Sequence, residues 1–166
     1  LELDVVLLVV ANDPWQKTDT RRITPASVRL EMVRAAVADE PGLEASDLEI
    51  ARGGPSYSVE TLEELHRREP GAELFLVLGA DAAAGLHTWH RADDLLQLCR
   101  LVTVGRPGAE PSLPEGSTAV QVQVPQLEIS ASELRSRAAA GRSLRYLVPD
   151  PVISLMREHH LYGGRG

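Results

Sequence analysis

The chain alternates between continuous apolar runs and stretches whose apolar residues recur at helical spacing. Residues 3–11 (LDVVLLVVA) form an unbroken valine-rich run, which is typical of a strand buried on both faces. Thr24–Pro25 combines an N-cap residue with a proline at the first helical position, and apolar residues then repeat with helical period until Pro41–Gly42. The same patterns predict strands at 47–51, 73–81, 100–105 and 119–124, a helix face marked by Val59, Leu62 and Leu65, and helices at 92–99, about 131–140 and about 149–160.

Strands that alternate with helices indicate an α/β fold with a Rossmann-like, doubly wound parallel sheet. We predict that residues 1–166 form a single domain, because no linker or internal repeat interrupts the pattern. Ligands of such sheets bind beyond the carboxyl ends of the strands. The chemically active residues that follow predicted strands are Lys17, Arg52, Tyr57, Asp81, Arg106, Ser130, Ser132 and Arg135.

Composition narrows the class of protein. The 43% of apolar residues can supply a core, whereas the net charge of −7 argues against a protein that coats nucleic acid, because that task needs a basic face. Cys99 is the single cysteine, which excludes an internal disulfide framework and is typical of a cytoplasmic protein. The opening apolar run is too short to span a bilayer. We therefore expect a cytoplasmic protein without nucleic-acid or membrane partners.

The segment 127–137 (LEISASELRSR) predicts both a helix start and an anion site. Ser130 and Glu133 have the spacing of a capping box. A helix N-terminus also offers N–H groups and partial positive charge to a phosphate, and Arg135 stands where its guanidinium can reach phosphate oxygens. By itself the segment favours a simple cap; the phosphate interpretation depends on the rest of the chain.

Other segments are individually weak signals. Tyr57–Ser58 could hold an anion at a helix start, or could simply follow a Gly-Pro turn. Asp81 could contact ribose hydroxyls or cap a helix, and Trp89 could stack on a flat heterocycle or pack half-buried. His87 and His90 lack a third metal ligand, so we predict no zinc site. The chain contains no G-x-S-x-G, Walker or G-x-G-x-x-G motif, which leaves serine hydrolases, P-loop enzymes and standard dehydrogenases unsupported.

Taken together, seven segments resemble one family. They are DPWQK (13–17), RLEM (29–32), RGGPSYSVETL (52–62), LGADAAAGLHTW (78–89), VGRPG (104–108), ISASELRSR (129–137) and YLVPDPV with a later LY (146–152, 161–162). In this order and spacing, over essentially the whole chain, they resemble the bacterial nicotinate-nucleotide adenylyltransferases of the Rossmann-like nucleotidyltransferase superfamily. The resemblance implies an enzyme that joins nicotinate mononucleotide to the adenylyl group of ATP, with Mg²⁺ accompanying ATP and with deamido-NAD and pyrophosphate as products.

The resemblance also implies roles for individual residues. Tyr57 and Ser58 are expected to receive the nicotinate end of the substrate, and Trp89 to stack on its pyridine ring. Lys17 and Arg135 are the implied catalytic residues, which stabilise charge on the phosphates. The residues implied to bind ATP are Gly79, Asp81, Arg106, Ile129, Ser130, Ser132 and Arg135.

The sequence departs from the family pattern mainly at its beginning. Ser58 and Ser132 stand where threonine is more usual, and Ala131 replaces serine, which are small changes. The family's opening G-G-[ST]-F-D-P-x-H-x-G-H does not occur, and residues 3–11 match the family's second strand. We therefore expect the first, central βα unit and its two phosphate-facing histidines to be missing from this sequence, with unpaired strand edges as the consequence.

Three interpretations stay open. The first is an adenylyltransferase whose first βα unit lies outside this sequence. The second is a non-catalytic fragment that binds nucleotide or a partner chain that completes the sheet. The third is a sister enzyme that acts on phosphopantetheine or another phosphate; the aromatic Trp89 and the GGPSYS segment argue against it, because a flexible pantetheine arm needs neither. The sequence does not decide whether the protein forms a homo-oligomer.

Overall fold

The computed structural model describes residues 1–14, 23–105, 118–125 and 127–163. The elements, in chain order, are β1 (Val6–Val9), α1 (Ala26–Val37), β2 (Leu43–Ser46), α2 (Leu48–Arg52), α3 (Ser58–Arg68), β3 (Phe75–Gly79), α4 (Ala80–Ala84), a 3₁₀ turn (Leu86–Thr88), α5 (Ala92–Leu98), β4 (Arg100–Gly105), β5 (Ala119–Gln123), α6 (Ala131–Ala139) and α7 (Asp150–Glu158). This alternation confirms the predicted α/β class. Within the described ranges, no helix has the length and apolar character needed to cross a membrane.

The chain divides into two compact units, which are described separately. Unit 1 comprises Leu1–Ser56 with Glu128–Gly166, and unit 2 comprises Tyr57–Leu127. The single domain over residues 1–166 stays a prediction.

Unit 1 is built on a parallel pair of strands. β1 pairs with β2 in register from Val6 opposite Leu43 to Val9 opposite Ser46, and α1 packs against β2 and α7. Val10 and Leu30 are buried in this unit. The Thr24 hydroxyl, predicted to cap α1, instead shares a 3.0 Å hydrogen bond with the hydroxyl of Tyr162, and Pro25 occupies the N-cap position.

The second strand of unit 1 lies earlier in the chain than predicted. Residues 47–51 were expected to be extended, but the strand is Leu43–Ser46, and Leu48–Arg52 forms the short helix α2. Short apolar runs fit a strand or a buried helical turn equally well. Pairing with β1 decides in favour of 43–46, and the helical turn buries the side chain of Leu48.

Unit 2 contains a three-stranded parallel sheet in the order β3-β4-β5. Phe75 lies opposite Arg100, and Leu101 lies opposite Ala119. Helices α3 and α5 pack together, and their buried apolar residues meet one face of this sheet. This core is made of Val59, Leu62, Leu78, Ala83, Leu86, Leu95 and Leu101. The predicted strands at 73–81, 100–105 and 119–124 and the helix face at 59, 62 and 65 are therefore confirmed, with shorter strands at 75–79 and 119–123.

Candidate functional site

Helix α3 begins where the sequence predicted a helix start, at Tyr57–Ser58. Tyr57 is the N-cap, with extended backbone (φ −102°, ψ 122°), and Ser58 is the first helical residue. Tyr57 also packs against the core of unit 2, and Val59, two residues later, is fully buried. The beginning of α3 is thereby anchored through side chains. As in any helix, the N–H groups of its first turn have no partner within the helix, and they lie at the positive end of its dipole.

The turn before α3 belongs to unit 1 and is held by hydrogen bonds within that unit. Gly53 and Gly54 have φ values of 74° and 71°, a left-handed conformation that favours glycine. The backbone N–H of Asn12 donates to the Ser56 Oγ (2.8 Å), and the Asn12 Nδ2 donates to the Gly54 carbonyl (2.9 Å). A short parallel bridge joins Asp13 and Pro55. The residues after β1 thus fix this turn through hydrogen bonds that join residues more than forty positions apart in sequence.

An aromatic group lies beside the start of α3 in unit 2. The half-buried Trp89 follows the 3₁₀ turn and packs against the core, and its backbone N–H donates to the Leu86 carbonyl at 3.0 Å. The imidazole of His90 lies 4.3 Å from the Tyr57 ring, between centroids, with the planes tilted by 31°. Structure therefore brings the Trp89–His90 segment to the residue that caps α3.

Gly79 and Asp81 lie together at the carboxyl end of β3. Gly79 ends the strand and caps α4 (φ −70°, ψ 160°), and Asp81 is exposed in the first turn of that helix. A Cβ atom added at Gly79 would meet no heavy atom within 4 Å. Neither the backbone angle nor the packing of the described residues requires a glycine at this position. The absence of a side chain would let a ligand approach the backbone closely.

Helix α6 in unit 1 carries the predicted capping interaction. The Ser130 Oγ accepts a hydrogen bond from the Glu133 backbone N–H at 3.1 Å, which confirms Ser130 as the N-cap. The Arg135 Nη2 donates to the Ser132 Oγ at 2.9 Å. Ile129, Ser130 and Ser132 are exposed, and α6 has no buried residue. Its first turn is therefore built for a polar environment.

Arg137 has a different orientation from Arg135. Its Nη2 donates to the Ser143 carbonyl at 3.1 Å, in the loop that follows α6. This contact uses the guanidinium to hold the chain after the helix. Of the two arginines, Arg135 is the one whose contact lies within the first turns of α6.

Arg29, within the RLEM segment, holds the residues on both sides of the DPWQK segment. Its Nε donates to the Thr24 carbonyl (2.9 Å), and its Nη2 donates to the Asn12 carbonyl (3.0 Å). Partial burial lowers the pKa of the Arg29 guanidinium, although not enough to deprotonate it near neutral pH. Lys17 and Arg106 lie outside the described residues, so their implied roles stay predictions.

Unit 2 contains the implied nicotinate residues Tyr57, Ser58 and Trp89 as well as Gly79 and Asp81, and unit 1 contains Ile129, Ser130, Ser132 and Arg135. Sequence reasoning missed the contributions of Asn12, His90 and Arg91. Asn12 contacts Gly54 and Ser56, His90 contacts Tyr57, and Arg91 contacts Glu63, so each has a partner more than 25 residues away that no local spacing predicts. Among the described residues, no group of three or more His, Cys, Asp or Glu side chains is placed to hold a metal ion.

Comparisons with known proteins identify the family. Residues 1–137 match the cytidylyltransferase-like family. Three relatives carry the name probable nicotinate-nucleotide adenylyltransferase. The one from Exiguobacterium sibiricum is 43% identical, over 98% of this chain and 85% of its own length. The corresponding values are 42%, 96% and 77% for Corynebacterium kroppenstedtii, and 39%, 98% and 87% for Streptomyces coelicolor.

Solved structures show the same fold. Two structures of the Plasmodium falciparum nicotinic acid mononucleotide adenylyltransferase, complexed with NaAD and with APC, align with TM-scores of 0.75 and 0.72. Each alignment covers 96% of this chain and 82% of the other at 15% identity, which shows that this chain shares their Rossmann-like α/β fold. Together with the sequence relatives, this fold shows that the chain belongs to the cytidylyltransferase-like family and, within it, to the nicotinate-nucleotide adenylyltransferases.

Proposed function

We propose that this protein transfers the adenylyl group of ATP to nicotinate mononucleotide and releases deamido-NAD and pyrophosphate. The observation that carries the proposal is the 43% identity to a nicotinate-nucleotide adenylyltransferase over 98% of the chain. An alignment of this extent spans nearly the whole chain. The names of these relatives favour this acceptor over phosphopantetheine.

The acceptor end of the reaction is assigned to unit 2. Backbone N–H groups at the start of α3, next to Tyr57 and Ser58, suit the carboxylate of nicotinate, because a helix N-terminus stabilises an anion. Nicotinamide is uncharged and gains less there. The Trp89 indole suits the flat pyridine ring, since stacking on an aromatic side chain contributes about 1–3 kcal/mol per base in nucleic-acid complexes.

The ATP end is assigned to the residues at β3 and α6. Asp81 can accept hydrogen bonds from ribose hydroxyls, with Gly79 leaving room for the nucleotide. Ile129, Ser130 and Ser132 form the beginning of α6, where N–H groups and hydroxyls suit phosphate oxygens, and Arg135 adds a fixed positive charge. Lys17 and Arg106 complete the proposed set from segments outside the described residues.

The reaction needs no covalent enzyme intermediate. A phosphate oxygen of nicotinate mononucleotide attacks the α-phosphorus of ATP, the new P–O bond forms, and the bond to the β-phosphate oxygen breaks as pyrophosphate leaves. Arg135 and Lys17 are proposed to stabilise charge on the phosphates. Mg²⁺ would enter with ATP, since magnesium at such sites is held largely by substrate phosphates and water.

The test is product analysis with the full-length protein. With ATP, Mg²⁺ and nicotinate mononucleotide, we expect deamido-NAD and pyrophosphate in equal amounts, a slower reaction with nicotinamide mononucleotide, and none with Mg²⁺ chelated. Transfer to phosphopantetheine instead would support the sister enzyme, and nucleotide binding without transfer to any acceptor would support a non-catalytic protein. The cytoplasmic location and any homo-oligomer stay predictions.

A further inference from the structure

We propose that Arg91 is a positioning residue that holds Trp89 at the start of α3 for the pyridine ring of the substrate. This inference rests on the proposed function, because it assigns a task within the nicotinate site. It concerns a residue that does not itself contact substrate.

The local conformation of Arg91 is unfavourable in three respects. Its backbone is left-handed (φ 52°, ψ 49°), which non-glycine residues seldom adopt. It occupies the N-cap of α5 without a side-chain capping hydrogen bond, where Ser, Thr, Asp or Asn would be preferred. It also brings a positive charge to the positive end of a helix dipole. Contacts beyond the helix must compensate for these costs, and such strain is typical of functional positions.

Two carboxylates hold the Arg91 side chain. Its Nη2 lies 2.8 Å from the Glu63 Oε1, and its Nε lies 2.7 Å from the Asp94 Oδ2. Glu63 belongs to α3, the helix that Tyr57 caps, so the ion pair links the segment after Trp89 to that helix. The hydrogen bonds to Glu63 and then Asp94 raise the pKa of the Arg91 guanidinium, which stays charged at any working pH.

Stability alone does not explain this arrangement. The Arg91 and Glu63 side chains are each 42% exposed, and exposed ion pairs contribute little to folding free energy. The effect of these ion pairs is geometric. A planar guanidinium bound by two carboxylates has a fixed orientation as well as a fixed distance from α3.

A second contact attaches the same segment to α3. The His90 ring lies 4.3 Å from the Tyr57 ring, between centroids, while Arg91 reaches Glu63, six residues or about 1.7 turns further along the chain. Two consecutive side chains therefore attach the segment to the same helix. With the Trp89 indole packed on the core, this attachment sets the spacing between the stacking ring and the N-terminus of α3.

The experiment uses calorimetry to compare the binding of nicotinate mononucleotide and of ATP to wild-type protein and to five variants. One of them, Trp89→Ala, removes the stacking ring and sets the reference loss. Arg91→Ala removes the guanidinium. Glu63→Gln removes the negative charge of its partner and leaves only a weaker hydrogen-bond acceptor, and Arg91→Lys keeps the positive charge but not the planar guanidinium. Arg100→Ala is the matched control, because it breaks an exposed Arg–Glu pair in the same unit (2.8 Å to Glu73) at the amino end of the β3-β4-β5 sheet. Quenching of indole fluorescence by nicotinate mononucleotide gives a second readout.

We expect Arg91→Ala and Glu63→Gln to raise the Kd for nicotinate mononucleotide about tenfold, a part of the loss caused by Trp89→Ala. The Kd for ATP should change less than about twofold. Arg91→Lys should recover part of the affinity and of the quenching, and Arg100→Ala should behave as wild type. A structural role alone would weaken both ligands together and would not be rescued.

Three outcomes overturn the proposal in distinguishable ways. Wild-type protein that binds ATP but no nicotinate mononucleotide would overturn the proposed function and this inference with it. Wild-type protein that binds both, with Arg91→Ala and Glu63→Gln unchanged, would overturn the inference alone, as would an equal loss of both ligands. If Arg91→Ala fails to fold, Glu63→Gln decides, because it leaves the left-handed residue in place.

Discussion

At the scale of single residues, Gly79 is a glycine that the fold itself does not require. Its φ of −70° is accessible to any amino acid, and a Cβ atom there would meet open space. Gly53 and Gly54 differ, because their positive φ values make glycine a requirement of the turn itself. A glycine that the surrounding structure does not require, at the carboxyl end of a parallel strand, is a candidate for close approach by a nucleotide.

We predict that Gly79→Ala preserves or slightly raises stability, by up to about 1 kcal/mol, because alanine restricts the unfolded chain. The same change should raise the KM for ATP by about tenfold or more through a clash with the bound nucleotide. Thermal unfolding and steady-state kinetics measure the two effects. Gly71→Ala is the matched control, since its Cβ also meets open space; equal ATP kinetics in both variants would remove Gly79 from the ATP site.

At the scale of secondary-structure elements, helix α6 combines a cap with a proposed phosphate site. The Ser130 Oγ accepts the Glu133 N–H, so one orphan donor is satisfied inside the protein, and other N–H groups of the first turn stay available to an anion. The capping role tolerates a negative charge at position 130, whereas the proposed phosphate site does not. An aspartate can replace the cap, because it also accepts a hydrogen bond, but it repels phosphate.

Substitutions at Ser130 should therefore separate the two roles. We predict that Ser130→Ala destabilises the protein by about 1 kcal/mol and also weakens ATP binding. Ser130→Asp should recover the stability, yet bind ATP more weakly than Ser130→Ala does. Denaturant unfolding and calorimetric titration with ATP check the pair; tighter ATP binding by Ser130→Asp would exclude phosphates from this helix start.

At the scale of the whole molecule, each of the two units forms its own parallel sheet and buries its own residues. The implied nicotinate residues belong to unit 2, and Ser130, Ser132 and Arg135 belong to unit 1. Cys99 reports on the fold of unit 2, because burial raises the pKa of its thiol to about 11, from an ordinary value of 9.0.

This raised pKa predicts that the Cys99 thiol reacts slowly with alkylating agents in the folded protein. At about pH 8.5, near the pKa of a free cysteine, the native thiol should be almost entirely protonated and should react with iodoacetamide far more slowly than in urea, because the thiolate is the nucleophile. Folding stability linked to Cys99 is complete below pH 9.0 and falls as the pH rises towards about 11, since the unfolded thiol loses its proton first. Mass spectrometry follows the single adduct; equal rates with and without urea would contradict the burial.

Most elements could be predicted from the sequence, because their signals are local. The spacing of apolar residues predicted β3, β4, β5 and the buried face of α3. The spacing of Ser130 and Glu133 predicted the cap of α6. Prediction of β2 at 47–51 was wrong, since a short apolar run does not distinguish a strand from a helical turn, and Thr24 was assigned to a cap although its hydroxyl bonds Tyr162, 138 residues later.

What the sequence by itself determined is therefore the class of fold, the order of its elements and the candidate ligand residues that belong to short motifs. These features depend on side-chain period, turn chemistry and capping, which act over a few residues. Only the tertiary structure decided which run pairs with β1, how Asn12 holds the turn before α3, and how Arg91 reaches Glu63, 28 residues away. Such contacts depend on the register and packing of distant segments, and no local pattern contains that information.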